Sequence, residues 1–288
     1  MIALPLVRTA LLGTRRRAVA PSVTLLEPLT SSVVVAAADT GRSAGADRAA
    51  GARAQALTAV LVSLTFVTGI VDAVTYLGLG HVFAANMTGN VVLLGFGLVG
   101  ADQVSASASL VSLGAFLVGA TMGGRLARTL QPTQHRWIVA SLALELGLLA
   151  AAMLSAAIRP SINDATIAGL LALAMGIRNA SVRRLGIPDL TTTVLTMLLT
   201  VLAADSQTPG GGRDALVRRL AAVAAMLGGA AIGALLLRGG GVELAIAAAV
   251  GVVALVTAGY VVSNKYLAER DAVPTGVATR SFAAVQKD

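Results

Sequence analysis

The sequence predicts an all-α, polytopic transmembrane bundle of two repeated units, and three observations carry the prediction. The chain is 56% hydrophobic and 12% charged, with a mean hydropathy of +0.81, whereas soluble domains carry roughly 25% charged residues. From Ala54 onward, apolar runs follow one another closely, most of them near the roughly 20 residues that a helix needs to cross about 30 Å of hydrocarbon. A polar pattern set in one run, Gly69 to Gly95, then returns in weaker form: Gly-Ile-Arg178-Asn179-Ala echoes Gly-Ile-Val-Asp72-Ala, and Thr191 to Thr196 stands where Phe83 to Thr88 stood.

Residues 1–52 read as a disordered, Arg-rich cytoplasmic extension. Arg15, Arg16 and Arg17 follow a short apolar patch, the reverse of a secretory signal. The apolar stretch Val33 to Ala38 is too short to span.

The membrane domain occupies 53–264, with eight apolar runs: Ala54 to Leu79, Val82 to Ala101, Val104 to Gly124, Trp137 to Ile158, Ala165 to Val182, Leu190 to Ala204, Leu220 to Leu237 and Val242 to Ser263. Charge placement separates eight crossings from six, because cytoplasmic loops carry an excess of Lys and Arg. If all eight runs cross, Arg125, Arg128, Arg136, Arg183 and Arg184 all fall outside. If the second and sixth are re-entrant or broken, these arginines become cytoplasmic, together with Arg213, Arg218 and Arg219, and Arg159 and Arg238 remain outside. The preferred reading is therefore six crossings plus two short re-entrant segments. Three crossings per unit invert the second copy relative to the first, with repeat one at about 54–158 and repeat two at about 165–263. Gly114 and Gly119 are matched to Gly228 and Gly233 in this reading. The segment 205–212 is a Pro- and Gly-rich connection, and 265–288 a short cytoplasmic tail.

Inverted repeats with polar, interrupted segments at matching positions point to a binding site near the membrane midplane. The candidate substrate-binding residues are Asp72, Asn86, Thr88, Gly89 and Asn90 in the first unit, with Arg178, Asn179, Thr192, Thr193 and Thr196 in the second. A charge at the bilayer centre costs roughly 2.5–3.5 kcal/mol on insertion scales. Asp72, Glu145 and Arg178 are therefore expected to point inward, with a carboxylate paired to Arg178. Two readings of these polar groups stay open: a solute or coupling-ion site, or hydrogen bonds that hold the bundle together. Asp189, after Pro188, reads as a helix cap, His81 as a loop histidine, and His135 with Arg136 and Trp137 as an interfacial anchor.

The two motif stretches, Gly69 to Gly95 and Gly176 to Ser206, resemble the YoaK-like family of bacterial membrane proteins, over roughly Ala54 to Ser263. The resemblance implies a multi-pass inner-membrane protein of about six spans with no established activity.

Cysteine is absent, and His81 and His135 alone cannot supply a three-ligand catalytic zinc site. No nucleophile triad or phosphate-binding loop stands out, so neither an enzyme nor a cofactor is expected. The net charge of +8 follows arginines at the ends of apolar runs, which fits membrane orientation and not nucleic acid. The functional expectation is a secondary transporter or permease for a small solute, sited between the repeats, with both termini cytoplasmic. The alternative is a non-transporting membrane scaffold. The lipid bilayer is the expected partner, with a solute or coupling ion beside it; the oligomeric state is left open.

Overall fold

The computed structural model describes residues 27–130, 133–158, 163–185 and 213–272. The chain divides into two compact units, Met1–Ala50 and Gly51–Asp288. In the first, the described residues, 27–50, are helical and not irregular as their composition suggests. All that follows concerns the second.

Six helices make up the described residues: α1 (Glu27–Gly78), α2 (Met87–Leu98), α3 (Ala106–Thr129), α4 (Gln134–Ala157), α5 (Asp164–Leu185) and α6 (Arg213–Ala272). Five contain stretches long and apolar enough to cross a membrane: Ala54–Gly78, Ala106–Thr129, Gln134–Ala157, Asp164–Leu185 and Leu216–Tyr266. The last holds 51 residues, about 75 Å of helix and more than twice a bilayer core. It breaks at Gly240 and Gly241, where Gly241 takes φ 75°, a value that a residue without Cβ adopts freely. The break falls between the two apolar runs read from the sequence, so α6 is two arms. The expected re-entrant run Leu190 to Ala204 lies outside the described residues.

Neighbour contacts give each segment a direction. Helices α1 and α4 are parallel because both run against α5; on the α1 side, Arg178 reaches Leu64 while Val182 and Leu185, further on, pack with Leu61, earlier in α1. Helix α5 runs against both: Arg178 reaches Glu145 and Leu64, while Ser181, further on, reaches Ser141, earlier in α4. Helix α3 runs with α5, because Gly119 meets Leu173 and Gly123 meets Ile177. The first arm of α6 runs with α1, since Gly229 meets Phe66 and Gly233 meets Ile70. The second arm opposes α4: Val242 at its start meets Gly78 at the end of α1, and Tyr260 near its end meets His135 at the start of α4, with ring centroids 5.4 Å apart. The six long segments thus alternate in direction. An eight-crossing path would have made α1 and α4 antiparallel.

Helix α2 does not cross. Its 12 residues rise only about 18 Å, and it folds back on α3, with Asn90 beside Ser112 and Gly97 against Ala106. The segment 79–105 enters and leaves on one side.

Two seams of close backbone approach hold the bundle. A Cβ added at Gly69 would collide with the Met226 carbonyl and the Ala230 amide, and one added at Gly176 with the Phe116 carbonyl and the Ala120 amide. Small residues allow such approach, and in lipid, close packing replaces the hydrophobic drive that water supplies. Large apolar side chains such as Leu117, Leu227 and Leu255 face outward. Thr65, Thr68, Asp72, Asn90, Ser112, Glu145 and Arg178 are buried. This pattern, apolar outside and polar within, is that of a membrane bundle.

Candidate functional site

The buried polar groups form two clusters. The first holds the chain where it leaves α1. Gly80 and His81 take positive φ, 94° and 58°, and turn the backbone inward as an irregular segment, 81–86, whose polar groups have no helical partners. Side chains supply them. Asp72 Oδ1 accepts the amides of Ala84 at 3.0 Å and Ala85 at 2.8 Å. Asn90 brackets Phe83, accepting its N–H at 2.8 Å and donating Nδ2–H to its carbonyl at 2.6 Å. Ser112 from α3 donates to the same carbonyl at 2.6 Å. Tyr76 stacks on the Phe83 ring at 4.9 Å and meets His81 edge-on at 5.5 Å. Non-helical backbone at membrane depth is tolerated where protein satisfies it, and this knot does so. Asp72 Oδ2 is buried without a hydrogen-bond partner.

The second cluster joins three helices. Arg178 on α5 pairs with Glu145 on α4. Its Nη1 donates to the Leu64 carbonyl at 2.8 Å and to Thr68 Oγ1 at 2.9 Å, both on α1. Ser181 donates to Ser141 at 2.8 Å one turn away. Side-chain exposure is 4% for Arg178 and 1% for Glu145, so the charges are neutralised against each other and not by solvent. Leu64 lies about 15 Å along α1 from Ala54, half the thickness of a hydrocarbon core.

Two cavities flank this pair. One, of about 10 Å³, is lined by Leu61, Thr65, Thr68, Arg178 and Asn179 among others. The larger, of about 30 Å³, lies between α1, α4 and α5, with Glu145 and Arg178 in its wall and otherwise mostly apolar residues such as Leu57, Leu61, Trp137 and Leu142. Arg178 Nε has no hydrogen-bond partner. A guanidinium with a spare donor beside an apolar hollow can receive an anionic or hydrogen-bond-accepting group.

The candidates read from the sequence divide accordingly. Asp72 and Asn90 belong to the knot, and Arg178 to the three-helix junction, where the expected carboxylate partner is Glu145. Thr68 sits one turn before Asp72 on the same helix, which connects the two clusters. Asn86 and Thr88 are exposed and do not point inward as expected. Asn86 is spent as the cap of α2, accepting the Gly89 amide at 3.3 Å, and Thr88 lies on the outward side of that first turn. Gly89 leaves room for the Phe83 ring, which a Cβ would approach to 2.8 Å. Asn179 is half-buried, donates to the Met175 carbonyl at 2.9 Å, and lines the smaller cavity. Thr192, Thr193, Thr196 and Asp189 lie outside the described residues. Trp137 is buried at 6% exposure instead of anchoring at an interface, and lines the larger cavity.

Sequence reasoning did not name Thr68, Ser112, Ser141 or Ser181. A signal existed for the first: Thr65, Thr68, Asp72 and Thr75 recur at three- and four-residue spacing on a single helix face.

An alternating helical bundle with apolar outer faces and a buried ion pair at mid-depth defines a multi-pass membrane protein. The chain belongs to the family described as protein of unknown function (DUF1275), whose model matches residues 60–259. It is 38% identical over 150 residues to the UPF0700 transmembrane protein YoaK of Bacillus subtilis (strain 168), a match covering 50% of this chain and 65% of that relative's length. No solved structure matches.

Proposed function

We propose that this chain is a secondary transporter or permease for a small solute, working in the bacterial inner membrane without a catalytic step. The observation that carries the reading is the Arg178–Glu145 pair, buried at mid-depth and bordering a cavity. Burying two charges purely for strength is poorly rewarded, since apolar replacements of such pairs are often equally stable or more so.

The glycine seams support a duplicated, inverted origin. A common spacing carries Phe66 to Leu173, Gly69 to Gly176, Ile70 to Ile177 and Ala73 to Ala180; another carries Phe116 to Met226, Gly119 to Gly229, Ala120 to Ala230 and Gly123 to Gly233. Under these two substitutions, the contacts of the α1–α6 seam become those of the α3–α5 seam. The units therefore exchange helices, and the repeat register lies one turn from the Gly114–Gly228 match. Gly114 itself meets nothing within 4 Å.

Orientation follows from the segment directions. The end of α3, the start of α4, the end of α5 and the start of α6 share one end of the bundle, and they carry Arg125, Arg128, Arg136, Arg183, Arg184, Arg218 and Arg219. The positive-inside bias makes that end cytoplasmic.

The scaffold reading draws on the first cluster, where Asp72 and Asn90 hold backbone. Thermal melting of the purified full chain across a panel of small metabolites separates the two. Transport predicts that at least one solute raises the melting temperature, and that the response disappears in Arg178→Gln/Glu145→Gln. A panel without any response would favour the scaffold.

A further inference from the structure

We propose that the cavity between α1, α4 and α5 takes a short-chain monocarboxylate together with one proton, the anion displacing Glu145 from Arg178 and Glu145 receiving the proton. The inference rests on the transporter reading and names its substrate class.

Three observations point to it. The cavity is walled mainly by aliphatic side chains and Trp137 but has a guanidinium in its lining, which suits a ligand with an apolar body and a single anionic end. Its volume of about 30 Å³ holds two or three waters at roughly 10–15 Å³ each, the space of acetate or propionate and not of a longer chain. Arg178 Nε is buried and has no hydrogen-bond partner, so one N–H is spare beside the Nη2 that Glu145 holds, and the two make a single fork once Glu145 lets go. Planar, two-pronged binding of a carboxylate is what that group does best.

Charge balance supplies the proton. The pair is neutral as it stands, and a carboxylate added at mid-depth would leave one negative charge uncompensated in a medium where such charge is costly. If Glu145 is protonated as the anion binds, Arg178 keeps one anionic partner and the site stays neutral. One ionic contact is exchanged for another, and a proton drawn from the surrounding water forms one O–H bond on Glu145; no other covalent bond is made or broken. The polar groups around the pair permit the exchange. From α5 there are Arg178 and the Ser181 hydroxyl, and from α1 the Thr68 hydroxyl with Asp72 one turn further on. The buried residues of the second arm of α6, Ala245, Ile246, Ala249 and Val253, are apolar. The cavity reaches from Leu57 and Leu185, at the arginine-rich end, inward to Leu64.

Calorimetric titration of acetate and propionate into the detergent-solubilised full chain, in two buffers of different ionisation heat, counts protons taken up per anion bound. The expected result is about one proton per anion, with affinity falling as pH rises wherever that uptake holds. Octanoate is expected not to bind. Glu145→Gln should bind propionate without proton uptake and without that pH dependence. Arg178→Gln/Glu145→Gln, which leaves no lone charge, should remain folded by circular dichroism and lose binding altogether. Binding without proton uptake in the wild type, or undiminished binding by the double variant, would overturn the proposal whether or not Glu145→Gln folds. So would stabilisation by a panel solute of another class with none by acetate or propionate; transport itself would survive that result. Proton-coupled binding without counterflow of radiolabelled propionate in proteoliposomes would instead sink transport and leave the site.

Discussion

The knot around Asp72 and the junction around Arg178 both bury polar groups at membrane depth, yet they spend them differently. In the knot, Asp72, Asn90 and Ser112 all turn to the backbone of 83–85, and the partners lie close in sequence. In the junction, a guanidinium collects groups from α1 and α4 and keeps a donor in reserve beside a cavity. The difference teaches how to sort polar residues inside a bundle. Those that satisfy freed main chain stabilise a break in a helix, and those that bind each other across helices beside a hollow are the ones able to change partners.

The harshest way to break this comparison is to strip one side of the junction. Arg178→Gln leaves Glu145 buried and unpaired, with an expected loss of about 3–5 kcal/mol; adding Glu145→Gln should restore most of it. A denaturation series over the two single variants and the double variant measures the coupling, and simple additivity would make the junction no more than packing. The knot should respond in the opposite manner. Asn90→Ala orphans both polar groups of Phe83 partly or fully, for about 2–3 kcal/mol at the usual 1–3 kcal/mol per unsatisfied group. No second-site change at the junction should rescue it, since its partners are main chain.

The seams give a smaller effect. Gly176→Ala forces α5 off α3 and should cost about 1–3 kcal/mol, as overpacking does. Gly114→Ala, which meets open space, should leave the melting temperature unchanged. Equal melting temperatures for the two variants would dissolve the seam. The mildest change is Asn86→Ala, the loss of an exposed helix cap worth about 1 kcal/mol. Its solute response should match the wild type, whereas a lost response would draw Asn86 into the site.

Much of the fold is legible in the sequence because lipid is a strict solvent. Long apolar runs bounded by arginine have little choice but to be spans, and the arginines alone favoured six crossings, in agreement with α1 and α4 running parallel. The break at Gly240–Gly241 was legible for the same reason. The glycine register was not. Gly114 and Gly119 match Gly228 and Gly233 in spacing, but a step of five residues turns a helix through about 140° and cannot keep both glycines on one face. The contacts use Gly119 with Gly123 and Gly229 with Gly233, four apart. In the site, Arg178 and Glu145 were legible because a charge in hydrocarbon needs a partner. Thr68, Ser141 and Ser181 were not, because a hydroxyl can satisfy itself on its own helix, as Thr68 does on the Leu64 carbonyl at 3.0 Å. Asn86 and Thr88 misled for the converse reason: residues suited to lining a site are equally suited to starting a helix.

The pairing of α1 with α6, far apart in the chain, also sets a timetable for biosynthesis. Gly69 leaves the ribosome long before Met226, its partner across the α1–α6 seam, and at roughly 5–20 residues per second the interval is on the order of 10 s. During that interval α3 and α4 follow α1 into the bilayer while the bare backbone groove of α1 stays uncovered, so Arg178 should find Glu145 and Thr68 with the groove still open. The ion pair should thus assemble before the bundle is sealed, and the first arm of α6 then covers α1 over a polar centre already in place. A nascent chain stalled after α5 should therefore already contain the junction and still be vulnerable to membrane proteases along the face that α6 would cover.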